Sequence, residues 1–185
     1  MKNSTAGMES MAETEPIGVI TSRTNGSRVF VLSAQAWSQI EKQLFNTFST
    51  GASSFLVHLG EYYGRAIVRE AKAGVQPPAF ERVLQTLASA SGWGEISVKG
   101  LTRGDTAFTV ETRNCVFCSQ ASQLKSCYFL LGVVAGAAGE TFGKQFEATE
   151  HQCGHSGSQV CRMTVEPAES RERTGLIPAV GRVLG

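Results

Sequence analysis

The stretch from Cys127 to Ala138 is the longest apolar run in the chain, and it contains two glycines. It is too short to span a bilayer. Continued to Glu140 it is apolar all round and long enough for a helix, so it predicts a helix buried on every side. The rest of the chain must cover that helix. With 185 residues, 42% hydrophobic and 18% charged, the composition is that of an ordinary globular protein and suffices for one domain with a full core.

The covering elements are legible as two kinds of periodicity. After a possible hairpin (Gly18 to Thr21, the Asn25-Gly26 turn, then Arg28 to Leu32), Ser33 caps a helix whose apolar stripe is Trp37, Ile40, Leu44, Phe45 and Phe48. A second helix, about Ser53 to Ala73, carries Phe55, Leu56, Leu59, Tyr63, Ile67 and Val68 on its apolar positions. Gly74 and Pro77-Pro78 end it and start a third, which runs to about Ser91 with Phe80, Val83, Leu84 and Leu87 inward. The period then changes to two. Ile96 and Val98, then Phe108 and Val110, alternate with polar residues across an Arg103-Gly104-Asp105 turn, and alternation resumes over Thr141 to Glu150 and Gln159 to Val165 after the buried helix. Helices, hairpin, helix, hairpin in that order predict an α+β domain, helices packed on an antiparallel sheet. The folded part is expected at 17–167. Residues 1–16 are read as a disordered tail and 168–185 as a flexible one, and Gly60/Gly64 and Gly132/Gly136 as sites of close intrachain helix packing.

Charge excludes some partners. Lys and Arg number 17 against 16 Asp and Glu, so a net charge of +1 gives no field for attracting phosphate backbones or anionic lipid. Direct nucleic-acid binding and membrane insertion are therefore not expected. Met1 to Pro16 has neither the basic start nor the apolar stretch of a secretory signal, which makes a cytoplasmic location the default. In a reducing compartment five cysteines, an odd number, argue against a disulfide framework, leaving metal binding or plain burial.

Strand alternation singles out two of these cysteines together with a glutamate. Phe142, Phe146, Ala148 and Glu150 share one face of the first late strand, and Cys161, Met163 and Val165 share one face of its partner. Glu150 and Cys161 then both point toward the core, with Cys153 in the turn between. A buried carboxylate needs a counter-charge, and a divalent cation is a reasonable one. Cys127 sits at the start of the buried helix, where the helix dipole favours thiolate. Three thiolates and a carboxylate suit tetrahedral zinc, although free cysteines also bury as small apolar side chains. His151 and His155 flank Cys153 and are alternative ligands. Cys115-x-x-Cys118 has no second pair, so it reads as two loop cysteines of no special role, while its nearness to Cys127 leaves ligand or redox sensing open.

Cys127, the Gly132 to Gly136 segment, and Glu150-His151-Gln152-Cys153 through Gly157 to Cys161-Arg162-Met163 resemble the 4-vinyl reductase domain family, whose members include the sensor domains of aromatic-responsive transcription activators. The resemblance covers about Phe108 to Glu166 and implies the fold of a wider superfamily of nitric-oxide sensors and Golgi transport-particle subunits. It implies that Cys127, Glu150, Cys153 and Cys161 ligate a structural zinc. It further implies a small-molecule-binding or sensor domain for a hydrophobic or aromatic ligand, acting through a homodimer or another partner. Residues expected to line the ligand are His58, Tyr62, Trp93, Phe108 and Tyr128. The sensors' phenol-binding positions fall by direct offset on Thr106 and Pro78, so phenol itself is not implied. Two alternatives follow from the same family: a reductase or accessory carrier in chlorophyll-precursor synthesis, and a transport-particle-like scaffold. No dinucleotide or flavin motif is visible, which weighs against an independent enzyme.

Overall fold

A computed structural model describes residues 12–14, 20–22, 28, 32–71, 77–101, 107–118, 127–154 and 158–168. The first elements are two short strands, β1 (Ala12–Thr14) and β2 (Ile20–Ser22), paired antiparallel with Ala12 opposite Ser22. Part of the stretch expected to be a tail is thus in a strand, and Ile20–Ser22 pairs upstream. The Asn25-Gly26 turn and most of the second strand of the expected hairpin lie outside the described residues, as does 169–185.

The helix α1 (Ala34–Phe48) starts where its cap predicts, with the Ser33 hydroxyl accepting from the Ala36 N–H at 3.1 Å. Its inward face differs from the expected stripe. Ser38 and Glu41 are buried, Trp37, Leu44 and Phe45 half-buried, and Ile40 and Phe48 exposed.

Helix α2 (Gly51–Glu70) shows why apolar periodicity misjudged the inward face. It buries Ala52, Leu56, Gly60, Gly64 and Val68, a four-residue repeat, and leaves Phe55, Leu59 and Tyr63 exposed. Helix α3 (Pro77–Ala90) follows the expected pattern, with Phe80, Leu84 and Ala88 buried and Val83 and Leu87 half-buried. β3 (Glu95–Lys99) and β4 (Phe108–Arg113) form the expected antiparallel pair with Val98 opposite Val110, and their turn lies outside the described residues.

The apolar run is the helix α4 (Tyr128–Phe142), in which every residue from Phe129 to Gly139 is buried. Leu130, Val133 and Val134 are 0–1% exposed, each side chain contributing about 1.5–3 kcal/mol of burial. The glycines of α2 and α4 face one another. A methyl built on Gly60 would strike the Phe129 carbonyl and lie 2.8 Å from Val133 N, and one on Gly64 would strike the Val133 carbonyl and lie 2.9 Å from Ala137 N. One on Gly132 would strike the Val57 carbonyl, 2.8 Å from Glu61 N. The two helices therefore cross backbone to backbone, and the glycine row, not the bulky apolar row, is the contact ridge.

Gly143, left-handed at φ 68°, ends α4 with its N–H on the Gly139 carbonyl at 3.0 Å. Thr141 and Phe142, expected in a strand, belong to the last turn of this helix. β5 (Phe146–Gln152) and β6 (Val160–Pro167) complete a sheet of order β3-β4-β6-β5, antiparallel throughout. Its inner face carries Phe108, Val110, Thr112, Cys161, Met163 and Val165, all buried. On its outer face Glu111 accepts from Lys99 Nζ at 2.6 Å and Arg162 Nε at 2.9 Å. The described residues form an α+β domain of four helices on a four-stranded antiparallel sheet, with α4 enclosed between α2 and the sheet. No helix among the described residues is long and apolar enough to cross a membrane.

Candidate metal centre and aromatic cluster

Three elements deliver sulfur to one point. Cys161 lies on the inner face of β6, opposite Thr112 of β4. On β5, Glu150 pairs with Met163 and Gln152 with Arg162, so His151 is the extra residue of a β-bulge. Without it, alternation from Glu150 would send Cys153 to the outer face; the bulge re-aims the chain, and Cys153 is 5% exposed. Cys127, 1% exposed, is the N-cap of α4. Its Sγ is 3.8 Å from Cys153 Sγ and 3.8 Å from Cys161 Sγ. Two sulfurs bound at about 2.3 Å to one tetrahedral ion stand about 3.8 Å apart, so these spacings fit a single zinc-sized ion.

Cys115 and Cys118, expected as loop cysteines near Cys127, are brought by the fold to the same point. Asn114, at φ 51°, turns the chain after β4, and a tight turn closes with Cys118 N–H on the Cys115 carbonyl at 3.2 Å. Cys118 Sγ lies 2.9 Å from Cys161 Sγ, 3.0 Å from Cys127 Sγ and 3.4 Å from Cys153 Sγ, and Cys115 Sγ lies 3.7 Å from Cys127 Sγ. Two overlapping groups, Cys115/Cys118/Cys127/Cys161 and Cys127/Glu150/Cys153/Cys161, each have all ligand atoms within 4.8 Å, close enough to hold one metal ion. The available signal was the CxxC itself, nine residues before Cys127.

The electrostatics point the same way. Hydrogen bonds with Cys115 and then the other thiols hold Cys161 well below the usual thiol range. Contact with Cys115, and then with the other three thiols and burial, pushes Cys127 up. Cys115, then Cys153, Cys161 and burial, push Cys118 up against a lowering by Cys127. Thiols packed this closely cannot all ionise against one another, so several thiolates here require a cation. Soft sulfur donors suit zinc among the common divalent ions. Glu150 Oε2 accepts the Cys127 N–H at 2.9 Å, putting a carboxylate at the positive end of α4. His151 is exposed and its Nε2 meets Thr164 Oγ1 at 2.9 Å, away from the sulfurs; His155 is outside the described residues.

An aromatic cluster adjoins the centre. Phe117, between the two cysteines of the turn, has its ring 5.8 Å from Trp37, 5.2 Å from Trp93 and 5.4 Å from Phe129, and Tyr63 joins Trp93 and Phe129 at 5.7 and 5.8 Å. Both tryptophans of the chain are in it. At its edge, one helical turn from Trp37, Glu41 is 2% exposed. Burial raises its carboxyl to about 7, with Trp37 acting in the opposite direction. Among the described residues, Glu41 Oε2 and Trp37 Nε1 are buried with no hydrogen-bond partner other than each other.

The five residues expected to line one ligand site are not brought together. Trp93 is in the aromatic cluster. Phe108 is packed elsewhere, with Phe80, Phe142 and Phe146, and Tyr128 lies on Phe45. His58 faces outward beside Glu61, and Tyr62 is 76% exposed. The backbone contact made by the glycines rotates α2 so that His58 and Tyr62 leave the core side.

This α+β fold, four helices of the described residues on an antiparallel sheet, is shared by solved structures of low sequence identity. The phenol-responsive sensory domain of the transcription activator PoxR, solved with phenol, superposes with a TM-score of 0.70 at 18% identity, covering 91% of this chain and 92% of that one. A vinyl-4-reductase family protein from Methanocaldococcus jannaschii gives 0.55 at 16% identity (76% and 84%). A trafficking protein particle complex subunit 3 from Naegleria fowleri, covalently bound to palmitic acid, gives 0.53 at 14% (72% and 92%). No family profile and no curated protein sequence matches the chain.

Proposed function

We propose that this chain is a zinc-stapled domain that binds a small aromatic molecule carrying a polar group and acts through a second copy of itself or a partner. The observation that carries the reading is a pair of buried polar atoms at the edge of the aromatic cluster, Glu41 Oε2 and Trp37 Nε1, that have no partner but each other. A hydroxyl on an aromatic ring would insert between them, donating to the first and accepting from the second, each hydrogen bond contributing about 0.5–1.5 kcal/mol and more where the carboxyl is charged. The phenol-responsive domain shares this fold, which supports an aromatic ligand.

The metal's contribution is structural. Cys127, Cys153 and Cys161 would hold it, with Glu150 or Cys118 closing the set, leaving no open position for a reacting water. Zinc would tie the N-terminus of α4 to the last hairpin. Phe117 and Phe129 lie next to and two residues after metal-proximal cysteines, so the aromatic cluster and the sulfur centre share backbone. A ligand entering among the rings would shift that backbone, and would bias the protein only to the extent that it binds the two arrangements differently. Ile40, Phe48, Phe55, Leu59 and Tyr62, exposed on α1 and α2, offer the apolar surface for a homodimer.

The test uses the two tryptophans as reporters. Titrating zinc-loaded protein with hydroxylated, unsubstituted and aliphatic compounds should change tryptophan emission saturably for the hydroxylated aromatics, and Glu41→Ala should weaken them selectively. Equal response to all three classes, or none, would overturn the reading. Tetrapyrrole absorbance in protein purified from its own host would favour a pigment carrier instead. Sedimentation should give a dimer.

A further inference from the structure

Resting on the metal reading above, the geometry points to Cys118 as the fourth ligand of the centre, with Glu150 outside the coordination sphere as the cap of α4. Cys127, Cys153 and Cys161 form the base of the site, and Cys118 Sγ is within 3.4 Å of all three. That is the apex position of a tetrahedron. Its edges to the apex are shorter than the roughly 3.8 Å of a zinc-thiolate tetrahedron by less than about 1 Å.

Two further observations favour sulfur at the apex. Glu150 Oε2 already accepts the Cys127 N–H at 2.9 Å, where its charge meets the helix dipole. Gly154, directly after Cys153, is shaped around Cys118: a methyl built on it would sit 3.3 Å from Cys118 Cβ and 3.4 Å from Cys118 Sγ. A side chain there would crowd the thiol. The Gly154 N–H points at Cys161 Sγ at 3.3 Å, the kind of backbone hydrogen bond that orients a ligating sulfur. The residues around Cys118 thus make room for its sulfur and direct a neighbouring one. Zinc also prefers thiolate to carboxylate as the softer donor.

Metal content and donor count separate this assignment from the reading it rests on. Native mass spectrometry of full-length protein from zinc-supplemented cells asks whether one zinc is bound; none would overturn the metal reading. X-ray absorption at the zinc edge then counts donors. Four sulfurs at about 2.3 Å in the wild type, falling to three plus a lighter atom in Cys118→Ser, are expected. Glu150→Gln should keep four sulfurs and lose no more zinc affinity than the roughly 10–100-fold of a change outside the coordination sphere, whereas Cys118→Ser should lose more than that. One bound zinc with three sulfurs and an oxygen in the wild type would overturn the assignment, and that measurement needs no variant to fold.

Discussion

Replacing Glu41 by Gln isolates the free energy held in one buried charge. The wild-type carboxyl is raised by burial from 4.5 to about 7. At pH below 4.5 it is protonated whether the chain is folded or unfolded, and the two states bind this proton equally. Between 4.5 and 7 the unfolded chain ionises first, so the folded state, which retains the proton, loses relative stability as pH rises. Above about 7 both are ionised and the loss is complete. A shift of about 2.5 units corresponds to about 3 kcal/mol at 1.36 kcal/mol per unit. Gln keeps the side-chain shape and a carbonyl for hydrogen bonding but cannot ionise. Glu41→Gln should therefore be about 3 kcal/mol more stable than wild type at pH 8 and nearly equal to it at pH 4.5. Urea unfolding followed by tryptophan emission, with metal held constant, should show the variant's midpoint about 1–2 M higher at pH 8 only. The same offset at both pH values, or a variant less stable at pH 8, would refute the argument.

Other perturbations probe the scaffold and the centre. Gly132→Ala improves helix propensity by about 1 kcal/mol, yet its methyl strikes the Val57 carbonyl, and overpacking against backbone should win by about 1–3 kcal/mol; a melting temperature at or above wild type would show that the helices have slack. Lys99 and then Arg162 hold the Glu111 carboxyl below the usual carboxylate range. Its contribution is present above 4.5 and disappears as pH falls through the lowered value, so Glu111→Gln should destabilise at pH 7 and not at pH 2, and its carboxyl resonance should titrate below 4.5. Chelation should lower the melting temperature and raise the number of thiols reacting rapidly with a disulfide reagent; an unchanged count would mean that no cysteine is protected by metal.

Much of the architecture was legible because it depends on local properties. An all-apolar run too short for a bilayer has to be a buried helix, and period-two alternation on either side of a turn has to be a hairpin; α4 and the pairs β3–β4 and β5–β6 follow. Alternation likewise put Cys161 on the inner face of β6. The Cys127/Glu150/Cys153/Cys161 group, read from pattern and resemblance, lies within metal-binding reach.

What the chain pattern alone left open were the faces and the meetings. Apolar periodicity says that α2 has a bulky stripe, but its orientation is settled by four glycines that let two backbones touch, which turns Phe55 and Tyr62 to solvent. A single left-handed glycine, Gly143, ends α4 two residues later than the alternation of Thr141 and Phe142 implied. Cys118 stands 35 residues from Cys153 and 43 from Cys161. No local periodicity links residues so far apart, and their meeting depends on the Asn114 turn, the β4–β6 register and the bulge at His151 acting together. From the amino-acid sequence follow the secondary structure, the inward aim of Cys161 and the need for a counter-charge near it. Only tertiary structure decides which sulfurs and which rings share that space, because side-chain convergence is set by packing between elements rather than by the pattern within any one of them.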